Sequence, residues 1–213
     1  PGPMQSLLQP RVLNAAAAAA LVTMVACLPR LILWPARPAP LWLLASVVVG
    51  TSLVLWAFVF GWHTEYTRRP VLVATLNRRD VGLATGWGVG GAVLLLVLLD
   101  PALRPLTPED YPASFKAWVA MTLFSLSLEP LFLCFAPFAF FMRLFPSPKA
   151  AAVLTVLWGL CVMYLKMDSS PVPLPAALVI ELAVLRLGLA ALAVCFYLRG
   201  GVWLVLYCGF WLH

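Results

Sequence analysis

Charge is what this sequence has least of. Only 10% of its 213 residues are Asp, Glu, Lys or Arg, and only two are histidine; a soluble domain carries roughly 25% charge. The five cysteines form no Cys-x-x-Cys pair. Cys27, Cys134, Cys161, Cys195 and Cys208 all sit in apolar stretches, so they read as buried thiols rather than a disulfide framework or a metal site. These scarcities exclude a soluble enzyme, a disordered chain and a disulfide-stapled secreted domain. Hydrophobic residues make up 63% of the chain and the mean hydropathy is +0.98. No water-soluble core of this size hides that much apolar surface, so most of it faces lipid.

A helix crossing a bilayer needs about 20 apolar residues, in a range of roughly 17–25. The charge-free runs are Val12–Leu28, Pro40–Trp62 and Val81–Leu99. Ala117–Met142 is interrupted only by Glu129, Ala150–Leu165 is short, and Val172–Leu198 contains Glu181 and Arg186. Val202–Leu212 is too short to span straight across and reads as a candidate seventh helix. The runs lack the alternation of barrel strands, so an all-α, polytopic transmembrane bundle of six to seven spans is expected. The Ala-rich run after Arg11 resembles the apolar region of a signal peptide. Pro29 and Arg30 follow it instead of a small-x-small cleavage site, so a retained first helix is expected. Pro1-Gly2-Pro3, ahead of Met4, reads as a candidate tag remnant.

Prolines punctuate the connections, at Pro35–Pro40, Pro101–Pro112, Pro146–Pro148 and Pro171–Pro175. None of these is long enough for a soluble domain. The organisation expected is one integral membrane domain over 1–213: a tail over 1–11, three helices over 12–99 and a core over 113–213. No internal repeat is evident.

The net charge is +6. Because Arg and Lys cluster at run ends, they read as juxtamembrane anchors and not as a nucleic-acid surface. With seven helices, one face carries Arg11, Arg68, Arg69, Arg78, Arg79, Arg143, Lys149 and Arg199. The other carries Arg30, Arg37, Arg104, Lys116 and Lys166 together with Asp100, Glu109, Asp110 and Asp168. The richer face, with the N-terminus, is expected to be cytoplasmic. Arg68, Arg69, Arg78 and Arg79 flank Val71, Leu72, Val73 and Leu76. That pattern suggests a segment lying on the interface, either as ordinary anchoring or as a surface for anionic lipid or an acidic partner.

Gly82, Gly86 and Gly90 recur every fourth residue, a face that lets two helix backbones approach closely. The run Gly86-Trp87-Gly88-Val89-Gly90-Gly91 lies in a membrane helix, with no preceding strand and no phosphate-binding lysine, so it reads as packing and not as a nucleotide loop. The tryptophans lie mostly near run ends, as interface belts do, with Trp158 and Trp87 as candidates for packing.

Charges at membrane depth cost about 2.5–3.5 kcal/mol on insertion scales, so each asks for a reason. Glu129, Glu181 and Arg186 are those charges. Glu181 and Arg186 are five residues apart and do not face each other as an i, i+4 pair would. Arg186 is therefore expected to reach a carboxylate on another helix, with Glu129 the natural candidate for a structural ion pair.

Around Glu129 the chain reads Ser127-Leu128-Glu129-Pro130-Leu131-Phe132-Leu133-Cys134. Here it resembles the CAAX prenyl protease and bacteriocin-processing (CPBP, also called Abi) family of intramembrane glutamate-dependent proteases. Their motifs are Glu-Glu-x-x-x-Arg, Phe-x-x-x-His and His-x-x-x-Asn. Glu129 matches the first glutamate, while Pro130 and Cys134 stand for the second glutamate and the arginine. Trp158 stands for the phenylalanine and Val162 for the histidine of the second motif. In Cys208-Gly209-Phe210-Trp211-Leu212-His213, Gly209 takes the histidine position and His213 the final one. The resemblance covers Ala113 to His213 and implies a four-helix core in the C-terminal half. It implies Glu129 and His213 as the catalytic candidates, since valine and glycine cannot shuttle a proton; His63 lies in a loop at the end of another helix.

The reading that follows is a non-catalytic, CPBP-like pseudoenzyme in a bacterial inner membrane. It would act as a scaffold or partner-binding subunit, with the lipid bilayer and another membrane protein or transmembrane segment as partners. Neither a cofactor nor a metal is expected, and no nucleic acid. One alternative is an active intramembrane peptidase that pairs Glu129 with His213. The other is a small transporter or lipid-handling protein with a polar pathway through Glu129, Glu181 and Arg186.

Overall fold

A computed structural model describes residues 6–34, 38–108, 111–168 and 174–213. The candidate tag remnant, the acids Glu109 and Asp110, and the turn residues Pro35, Arg37, Pro171 and Pro173 lie outside the described residues. The fold is all-α and polytopic. Six helices are long and apolar enough to cross a membrane: α1 (Pro10–Leu33), α2 (Leu41–Thr67), α3 (Arg78–Leu103), α4 (Phe115–Leu144), α5 (Pro148–Met167) and α6 (Ala176–Leu212). In hydrocarbon a backbone group has no water to bond, which is why each apolar run closes its hydrogen bonds within one helix.

The helices run past the boundaries read from the sequence. α1 passes through Pro29 to Leu33, because proline within a membrane helix is tolerated where neighbouring groups meet the freed carbonyl. The seventh run, Val202–Leu212, is a second helical stretch, set off from the first part of α6 by a reversal at Gly201, where φ is 63° and ψ is −155°. That conformation is essentially confined to glycine. Leu189 and Leu212 both reach Gly91 of α3, so the two stretches of α6 run back alongside each other.

Two of the helices widen into a π-turn just before a proline. In α3 the turn is Leu95–Leu99, closed by the Asp100 N–H on the Leu95 carbonyl, ahead of Pro101. In α4 it is Leu131–Phe135, closed by the Ala136 N–H on the Leu131 carbonyl, ahead of Pro137. A proline ring presses on the carbonyl four residues back, and the wider turn relieves that contact. α2 has a third π-turn at Val59–His63, around Gly61. A Cβ on Gly61 would lie 2.6 Å from Leu7 Cδ2.

The chain forms two compact units, Pro1–Val71 with Pro112–Ala151, and Leu72–Tyr111 with Ala152–His213. The first packs α1, α2 and α4 around aromatic rings. Trp56 stacks on Phe60 at 5.4 Å and meets Phe135 at 6.2 Å, while Phe58 stacks on Trp62 at 4.4 Å. The Arg143 guanidinium lies 4.5 Å from the Trp62 ring centroid, a cation–π contact. The buried Trp56 indole donates to Thr23 Oγ1 at 3.0 Å, and Thr23 donates to the Ala19 carbonyl at 2.9 Å. Trp56 and Trp62 are therefore core residues and not interface belts, because their rings fill the space between helices. Cys27 and Cys134 are buried, as read, whereas Cys161 and Cys195 are exposed.

The second unit is built on α3 and α6. A Cβ on Gly88 would lie 2.6 Å from Trp211 Cβ and 2.7 Å from the Cys208 carbonyl oxygen. Thr85 and Tyr207 share a hydroxyl hydrogen bond of 3.1 Å. α5 reaches α6 where Gly159 faces Ala190.

Candidate functional site

Glu129 stands midway along α4, about 21 Å from Phe115 at 1.5 Å per residue. The helix is irregular on both sides of it: regular geometry ends at Ser127, Pro130 follows, and the π-turn begins at Leu131. Ser127 is turned inward, its hydroxyl 3.4 Å from Cys27 Sγ. Glu129 is exposed, and Ser125 Oγ donates to its Oε1 at 3.0 Å. Among the described residues the Glu129 carboxylate has no cationic partner. Within those residues, one serine hydroxyl on its own helix is all that offsets its charge.

Glu129 belongs to the first unit, and Glu181, Arg186 and His213 belong to the second. The pairings of Glu129 with Arg186 and with His213 expected from the sequence thus join residues of different units. Glu181 is exposed and lies five residues into α6, about 8 Å from its start. It makes no ion pair with Arg186, since five residues turn the two side chains about 140° apart. His63 is not in a loop: it is buried within the π-turn of α2, its ring 6.0 Å from Phe138.

The glycines Gly82, Gly86 and Gly90 have open space where a Cβ would project. With Gly188 of α6 they line an apolar groove of about 560 Å³. Trp87 also lines it and is 54% exposed, so it is not a packing residue within the chain. The close approach of α3 to α6 is made by Gly88, which meets Trp211 and Cys208, and by Gly91, which borders the groove and meets Leu212.

The Gly201 break gathers residues that the sequence reading had not connected. Leu72, in the segment after α2, pairs with Gly201 in an isolated antiparallel bridge. A Cβ on Gly200 would lie 3.1 Å from Leu76 Cδ2. Arg199, just before the break, pairs with Asp80 of α3 at 3.5 Å. Arg78 and Arg79 open α3, capped by Asn77 Oδ1, which accepts the Arg79 N–H at 3.0 Å. Arg78, Arg79 and Arg199 thus share one end of this unit, while Arg68 and Arg69 belong to the other unit. The Gly200-Gly201 doublet was the available signal, because a glycine pair inside an apolar run marks a bend.

Among the described residues no three His, Cys, Asp or Glu side chains gather as metal ligands. The fold and these sites define a polytopic α-helical integral membrane protein in contact with the lipid bilayer. Compared with known proteins, the chain matches no family model, no curated protein and no solved structure.

Proposed function

We propose that the chain is a non-catalytic scaffold or partner-binding subunit of a membrane complex, a pseudoenzyme of CPBP type in a bacterial inner membrane with its N-terminus cytoplasmic. The observation that carries the reading is the exposed Glu129 carboxylate at mid-span, offset among the described residues only by Ser125. An ionised group there is costly in lipid, and a transmembrane segment presenting a Lys, an Arg or a hydrogen-bond donor at the same depth would remove that cost. The residues at the other motif positions support the absence of catalysis. Val162 and Gly209 stand where histidines would move protons, and general-base hydrolysis needs such a group. The distribution of Arg and Lys supports the orientation.

The test is purification of the tagged full-length chain from its native membrane, as wild type and as Glu129→Gln and Glu129→Leu. A stoichiometric membrane partner is expected with wild type. Glu129→Leu should lose it, while the variant stays helical and folded in detergent; Glu129→Gln, which keeps hydrogen-bonding capacity, should lose less. A partner-free wild type whose peptidase activity disappears in Glu129→Gln would overturn the proposal.

A further inference from the structure

We infer that the helix break at Gly201 and the segment bridged to it form a binding groove for an anionic phospholipid. The groove is an open depression of about 520 Å³, lined by Val73, Ala74 and Leu76 and by Trp203, Leu206 and Tyr207. That is within the roughly 300–1,000 Å³ range of small-molecule sites. Its walls are apolar but for Tyr207, whose hydroxyl is engaged by Thr85. From Trp203 to Tyr207 the helical wall runs about 6 Å along its axis, a surface suited to the upper part of an acyl chain.

Charge at the start of α3 and at the break, next in sequence to the groove's lining, selects the headgroup. Arg199 lies just before the break, and its ion pair with Asp80 leaves its side chain 50% exposed. Arg78 and Arg79 begin the turn that holds Asp80; both are exposed and neither has an ion-pair partner among the described residues. This end of the unit therefore carries three guanidinium groups and one carboxylate. A phosphodiester carries the opposite charge, and guanidinium groups bind it through paired N–H donors. The backbone geometry holds the two parts together: the Leu72–Gly201 bridge keeps the 73–76 wall against the break, and Leu76 rests on Gly200. Trp203 is 51% exposed, and tryptophan side chains favour the headgroup boundary. This inference is independent of the partner-binding reading.

The experiment measures lipid retention on the intact protein by native mass spectrometry. Phosphatidylglycerol and phosphatidylcholine with identical dioleoyl chains are titrated against wild type, Arg78→Gln/Arg79→Gln and Leu206→Trp. The arginine pair leaves the Arg199–Asp80 contact in place, so the break keeps its support. Wild type should retain phosphatidylglycerol in preference to phosphatidylcholine. The double replacement should reduce that preference by roughly 25-fold, about fivefold per arginine near a membrane surface. Leu206→Trp, which fills the groove, should reduce retention of phosphatidylglycerol without altering helix content. Equal retention of the two lipids by wild type would overturn the inference. So would an unchanged preference in the arginine variant, or displacement of the lipid by equimolar inorganic phosphate.

Discussion

Replacing Gly88 by alanine tests the packing of α3 on α6 most directly, with Gly86→Ala as its internal control. Both glycines lie in the same helix two residues apart, so both substitutions gain the same helix propensity, about 1 kcal/mol. They differ in what the new methyl meets. At Gly86 it enters open space, whereas at Gly88 it would lie 2.6 Å from Trp211 Cβ and 2.7 Å from the Cys208 carbonyl oxygen. Carbon atoms in contact sit at about 3.5–4.0 Å, so the helices must part by roughly 1 Å. Neither obstacle can swing aside, since one is backbone and the other is bonded directly to it. Parting the helices also stretches the 3.1 Å Thr85–Tyr207 hydrogen bond one turn away. Overpacking of this kind costs about 1–3 kcal/mol. Gly88→Ala should therefore be less stable than Gly86→Ala by about 2 kcal/mol, or about 4–8 °C in Tm for a chain of this length. Circular dichroism of the purified proteins in one detergent measures it. Equal melting temperatures for the two variants would refute the close approach at Gly88.

Two further substitutions probe other parts of the fold. Gly201→Ala places a side chain at a φ of 63° and should destabilise the protein by about 1–3 kcal/mol; a wild-type melting temperature would show that the break is not built as described. Thr23→Val removes the acceptor for the Trp56 indole. In a double-mutant cycle with Trp56→Phe, the coupling should be about 0.6 kcal/mol and at most about 1.7 kcal/mol, the average and the maximum for hydrogen bonds between membrane helices. Additive losses in that cycle would count against the bond.

Legibility varied along the chain for identifiable reasons. The spans were readable because hydrophobic length answers directly to bilayer thickness, and each of the first five apolar runs became one helix. Their ends were less readable. Pro29 suggested a stop that the structure passes through, and His63 was placed in a loop that is helical, because a π-turn around Gly61 carries α2 onward. The two prolines at 101 and 137 are accommodated by widened turns, which leave no mark in hydropathy. Glu129 stood out as a charge in lipid, and its outward exposure is a property of how α4 meets its neighbours.

By itself the sequence determined the solvent, the secondary structure and approximately where each helix crosses. Scarce charge and long apolar runs leave no other arrangement that satisfies the backbone. Only the tertiary structure decided which faces meet. In a water-soluble helix the buried face is the apolar one and can be read from its period. In lipid both faces are apolar, so polarity does not distinguish the packed face from the free one. Gly86 and Gly88 are the clearest case: their residue type is identical, yet one borders an open groove and the other touches the Cys208 backbone. At Gly201 the sequence marked only a gap between two apolar runs, and the tertiary structure makes it the junction of Leu72, Arg199 and Asp80.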